Sequence, residues 1–233
     1  MNILAFGAHP DDIEYSVAGT LLKYKQQGHK IFIALATSGN TGSNVIPTVE
    51  EVAATREAEM LEAAKFYDAE VRFLRFDDER LLDTNETRTA VLDALRWAQP
   101  DVIFTHNPTD ESPDHATLSL LVRHMMLSMP GKLQQSTVTP CTKVPSLFFW
   151  ENGMGINFLP EVYVDISDTF ETKLKALRCH KSQASWMEVF GSVIGDDMAK
   201  MAAFRGVQIG VDYAESFRTF RIHGYMPDFK LLP

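Results

Sequence analysis

Short unbroken apolar runs alternate with segments of helical period, and this alternation limits the fold more than any other feature. Residues 3–8 are apolar and end in small side chains, and over 11–27 Val17, Leu21, Leu22 and Tyr24 recur at helical spacing. The unit repeats. Residues 31–37 read as a buried strand, a Gly/Ser/Asn loop covers 38–44, and 51–67 is helical through Arg56, Met60, Leu61 and Ala64. A third strand over 71–74, a helix over 87–98 stopped by Pro100, a fourth strand over 101–105 and a helix over 116–129 complete the series. Strands without polar alternation are buried on both faces, and parallel neighbours need crossovers long enough to hold a helix. The expected fold is therefore α/β, a Rossmann-like doubly wound, mainly parallel sheet with helices on both faces. Beyond Met129 the pattern weakens: 130–145 reads as an exposed loop, 146–150 and 161–166 as strands, and 168–180 as a helix with Asp168 at its N-cap.

A chain of 233 residues can bury one sizeable core, so a single domain over 1–233 is expected. Its formal net charge of -9 disfavours phosphate backbones, which argues against a nucleic-acid partner. Cys141 and Cys179 lie far apart with no second cysteine close by, so neither a disulfide framework nor a thiolate zinc site is expected. The N-terminus lacks a basic segment before its apolar run, and no apolar stretch is long enough to cross a membrane. A cytoplasmic protein with no membrane partner is the expectation, with homo-oligomerisation left open.

Ligands of open α/β sheets gather at the carboxyl ends of the strands. Two segments rich in chemistry fall there: Ala8-His9-Pro10-Asp11-Asp12 after the first strand, and 106–115 after the fourth. In a turn, His9 and Asp12 place both side chains on one side, and His115 adds a second imidazole. Two imidazoles and one carboxylate are the ligand set of hydrolytic zinc sites that keep a position for water. Asp11, between the first two ligands, stands where a general base for that water belongs. Helix capping would explain one aspartate. It does not explain both segments.

The N-terminal His-Pro-Asp-Asp with the later Asp114-His115 resembles the LmbE/PIG-L family of zinc-dependent N-acetylglucosaminyl deacetylases. Gly19-Thr20-Leu21, Arg56 with Glu59, His180-Lys181-Ser182-Gln183 and the run 210–217 extend the likeness over nearly the whole chain. The resemblance implies that His9, Asp12 and His115 hold Zn2+ or another divalent metal and that Asp11 deprotonates the attacking water. It implies a small-molecule amino-sugar conjugate as substrate, cleaved at its N-acetyl group to acetate and a free amine.

One departure stands out. Several family members carry His-Pro-Asp-His, whereas this chain has Ser112-Pro113-Asp114-His115. Serine carries no charge near neutral pH, so the oxyanion role of that histidine passes to the metal, to another group or to none. Asp114, which in the family orients that histidine, stays a catalytic candidate without its partner. His106 and His180 are the candidate substitutes, and His180 falls in a family-like motif. Arg56 either contacts substrate or pairs with Glu59. Residues 77–79 read as a solvated turn rather than a rim of the site, and Phe148, Phe149 and Trp150 as a buried strand or a sugar platform. Two other readings remain at this point: a metal-binding family member without turnover, and a Rossmann-type transferase.

Overall fold

Strand β1 (Asn2–Gly7) shows how the sheet is covered. Its residues Ile3 and Ala5 belong to one core layer and Leu4 and Phe6 to the other, all four fully buried. Alternate side chains of a strand point to opposite faces, so both faces must be covered. The computed structural model describes residues 1–189, 191–224 and 232–233. To β1 it adds β2 (Lys30–Thr37), β3 (Glu70–Phe76), β4 (Val102–Thr105), β5 (Ser146–Trp150), β6 (Val162–Asp165) and β7 (Ala214–Thr219). They form one sheet of order β3-β2-β1-β4-β5-β7-β6. Strands β3 to β5 run parallel, while β7 is antiparallel to β5 and β6. The expected doubly wound α/β fold is present.

The helices are α1 (Asp12–Ser16), α2 (Ala18–Gln26), α3 (Val49–Ala64), α4 (Asn85–Ala98), α5 (Pro113–Ser128), α6 (Phe170–Leu177), α7 (Lys181–Val189) and α8 (Asp196–Ile209). Leu21 of α2, Met60 of α3, Leu177 of α6 and Met198 of α8 pack into one layer. Val91 and Leu95 of α4 and Leu118 and Val122 of α5 pack into the other.

Three expectations need correction. The helix expected over 11–27 is broken at Val17 into α1 and α2. At the break, Glu215 of β7 accepts the Gly19 and Thr20 N–H groups at 2.9 and 2.8 Å, a carboxylate at a helix N-terminus. Lys173 Nζ meets the same carboxylate at 2.6 Å, so a buried ion pair ties α6 and β7 to this break. Helix α5 starts at Pro113, three residues earlier than expected, because proline suits the first helical position. Asp114 and His115 consequently ride on a helix and not in a loop. The N-cap of α6 is Thr169, while Asp168 pairs with Lys23 at 2.8 Å. Helices α7 and α8 and strand β7 escape a reading by period, since β7 buries Glu215 and Ser216 and α8 leaves Phe204 and Val207 exposed.

Candidate metal centre

The strand order reverses between β1 and β4, which pair directly. A crevice opens at the carboxyl ends on either side of such a switch. The segment after β1 folds tightly: the Asp12 carboxylate accepts the His9 N–H at 2.7 Å. Asp11 holds φ 109, a left-handed value that costs a non-glycine residue free energy. Its side chain makes no capping bond to α1. The Asp11 carboxylate instead accepts Arg56 Nη2 at 3.2 Å. Arg56, buried on α3, also donates to Pro10 O at 2.7 Å and to Gly39 O at 3.1 Å. Gly39 has φ +60, and a Cβ there would lie 2.2 Å from Arg56 Nη1, so only glycine fits.

From the other side of the switch comes the first turn of α5. His115 Nε2 lies 3.2 Å from His9 Nδ1 and 3.4 Å from Asp12 Oδ1. Donor atoms of His9, Asp12 and His115 all fall within 4.8 Å of one another. The far nitrogen of each imidazole is held by carboxylates. His115 Nδ1 meets Asp110 Oδ1 at 3.0 Å, and His9 Nε2 meets Asp78 Oδ1 at 2.9 Å and Asp114 Oδ2 at 3.3 Å. Those carboxylates are fixed in turn: Asp114 accepts the Glu79 and Leu81 N–H groups at 2.7 and 3.1 Å, and Asp78 accepts the Thr41 hydroxyl at 2.8 Å. Imidazoles oriented by carboxylates, with their other nitrogens converging on one point beside a third carboxylate, fit a divalent cation.

The electrostatics agree with that fit. Burial alone would lower His9, yet bonds to Asp114, Asp12 and Asp78 raise it well above the ordinary histidine value. For His115, burial is likewise outweighed by Asp12 and Asp110, which lift it to about 9. Both imidazoles thus gather positive charge, which a cation supplies in place of protons. Burial pushes Asp11 up, reinforced by the charge of Asp12 and opposed by Arg56.

His106, at the end of β4, is buried, stacks on His115 with ring centroids 3.9 Å apart and lies 3.1 Å from Asp12 Oδ2. Burial and the neighbouring His115 hold it down to about 4, so it is neutral. Trp150 Nε1 meets its other nitrogen at 3.3 Å. His180 is fully buried, with Nε2 at 3.0 Å from Glu14 Oε2 and close enough to feel the charge of Asp11. It lines neither cavity beside the cluster. Ser112 is the N-cap of α5, and its N–H donates to Asp110 at 3.0 Å.

Two further readings of the sequence change here. Arg56 does not pair with Glu59, which accepts the Ser182 N–H at 2.8 Å and hydroxyl at 2.6 Å and so ties α7 to α3. Asp78 is not part of a solvated turn but is buried against His9. Asp78 and Asp110 were missed as partners of the histidines. Each lies just past a strand end, β3 and β4 respectively, and that placement was the available signal.

One cavity beside the cluster is lined by His9, Asp11, Arg56, Asp78, Gln183 and Trp186. A second is lined by Asp12, Asp110, Glu111, His115, Trp150 and Asn152. Asp11 and Asp12 border both.

The fold and the carboxylate-held histidine pair define an α/β protein with a site built for a divalent cation. The chain belongs to the PIG-L family, described as GlcNAc-PI de-N-acetylase, whose profile matches residues 4–126. It is 26% identical to the diacetylchitobiose deacetylase of Thermococcus kodakarensis over 93% of this chain and 82% of that one. It is 26% identical to a probable N-acetyl-alpha-D-glucosaminyl L-malate deacetylase 2 of Bacillus cereus over 80% of this chain and 85% of that one. The solved N,N'-diacetylchitobiose deacetylase of Pyrococcus horikoshii, in complex with an inhibitor, superposes with a TM-score of 0.82 at 26% identity, over 99% of this chain and 88% of that one.

Proposed function

We propose that this protein is a metal-dependent hydrolase that removes the N-acetyl group from an N-acetylglucosamine-type conjugate, the 233 residues acting as one catalytic unit. The observation that carries the reading is the convergence of His9, Asp12 and His115 within 4.8 Å, with Asp11 beside them on both cavities. A zinc ion held by those residues supplies a Lewis acid for the amide carbonyl and acidifies water.

The remaining work falls to the chain. Asp11 accepts the proton of the attacking water and returns it to the departing nitrogen, giving acetate and a free amine. Arg56 fixes the Asp11 carboxylate and offsets its charge in a buried setting. Asp110, Asp78 and Asp114 hold the imidazole planes. With serine at 112 and His106 neutral, neither position supplies a protonated imidazole to the oxyanion, and a bound cation would offset that charge.

The chain works on a soluble small molecule, in keeping with a cytoplasmic place. No helix among the described residues is long and apolar enough to cross a membrane.

The direct assay follows acetate and primary-amine release from N,N'-diacetylchitobiose by zinc-loaded protein, with a chelated control. Equal release of both products, lost with the metal, is expected. Full metal occupancy with no release from any N-acetylated sugar would make the chain a metal-binding relative without turnover.

A further inference from the structure

The cavities beside the cluster carry charge of one sign. Asp11, Asp12, Asp78 and Glu79 line the first, and Asp110, Glu111 and Glu151 join on the second, against the guanidinium of Arg56. Its Nη1 and Nη2 are committed to Pro10 O, Gly39 O and Asp11, and its Nε is buried from solvent. Two further cations border an adjoining hollow and are committed too, Lys173 to Glu215 and Arg205 to Glu151. A divalent ion together with both guanidiniums leaves the seven carboxylates in excess.

We infer that the substrate is uncharged in every part that enters these cavities, a neutral N-acetylated glycoside rather than a carboxylate- or phosphate-bearing conjugate. This rests on the deacetylase reading above. Binding a carboxylate or phosphate calls for a free guanidinium fork or an ammonium, and neither lines either cavity among the described residues. What the walls do offer suits sugar hydroxyls. Carboxylate oxygens accept O–H donors, and Asn152 Oδ1 is a further buried acceptor with no protein partner. Trp186 brings an aromatic ring to the first cavity for the apolar face of a pyranose, while Trp150 is buried in the β5 core.

The same field acts on the products. Deacetylation turns a neutral amide into an ammonium and an acetate. A site of net negative charge holds the first and repels the second, so acetate leaves readily. The family relatives divide on this point, since diacetylchitobiose is neutral and a malate conjugate is not. The walls of this chain match the neutral member.

Zinc-loaded protein should be assayed on N,N'-diacetylchitobiose and on N-acetylglucosaminyl malate at low and high salt. The neutral compound should have the larger kcat/KM, by about tenfold or more at low salt, and little salt dependence. The rate on the malate conjugate should rise with salt as repulsion is screened. Calorimetric titration with the two deacetylated amines gives a ranking independent of turnover, and the neutral aglycone should bind more tightly. Glu79→Lys should raise the relative kcat/KM for the malate conjugate about tenfold. A malate conjugate bound or cleaved as well as the neutral one at low salt would overturn the inference. Neither compound cleaved, with the amines still ranked as expected, would defeat the deacetylase reading and leave the charge selection standing.

Discussion

The edge where β1 meets β4 and the flank built from β5, β7 and β6 are made in different ways. At the β1/β4 edge the reactive side chains are held by charged partners: His9 by Asp78 and Asp114, His115 by Asp110, and Asp11 by Arg56, which Gly39 lets approach. The flank instead supplies walls. Asn152, Gln183 and Trp186 reach the cavities from β5 and α7 without touching the donor cluster. The family profile covers 4–126 and so ends within α5, before any of these wall residues. Shared chemistry is concentrated where the geometry is over-determined, and selectivity where it is not.

The largest expected effect lies on the first side. Asp11→Asn should lower kcat by about 10² to 10⁴ while KM and bound metal stay near wild type. A comparable rise in KM would mean that the base also binds substrate, blurring the division. A step smaller, Asp110→Asn should weaken metal affinity by about 10- to 100-fold in a competition titration, because His115 loses its orienting carboxylate. Unchanged affinity would show that α5 alone holds that ring. The smallest effect belongs to the flank: Trp186→Ala should raise KM by a factor of about 2 to 13, the value of one aromatic contact, and leave kcat and metal content alone. A kcat loss matching that of Asp11→Asn would break the comparison outright.

The two sides also differed in how much the sequence disclosed. Unbroken apolar strands gave away the parallel half of the sheet, and the strand-end positions of His9, Asp11, Asp12 and His115 put the cluster within reach of reasoning from pattern. Asp78 and Asp110 stayed hidden because a carboxylate past a strand end looks the same whether it faces solvent or an imidazole. The first turn of α5 is ambiguous in sequence for a local reason: Pro113 can end a loop or begin a helix, and only packing decides. Strand β7 was illegible because Glu215 and Ser216 are buried through Lys173, Gly19 and Glu151, partners distant in sequence. Likewise Glu59 looked like a partner for Arg56 one turn away, whereas tertiary contact gave it to Ser182.

The central claim is that His9, Asp12 and His115 together hold one catalytic cation. Metal analysis of the purified protein and of His115→Ala, with folding followed by circular dichroism, tests it most directly. About one divalent ion per wild-type chain and none retained by a folded His115→Ala variant is the predicted result. A folded His115→Ala protein that keeps a full equivalent of metal would contradict it.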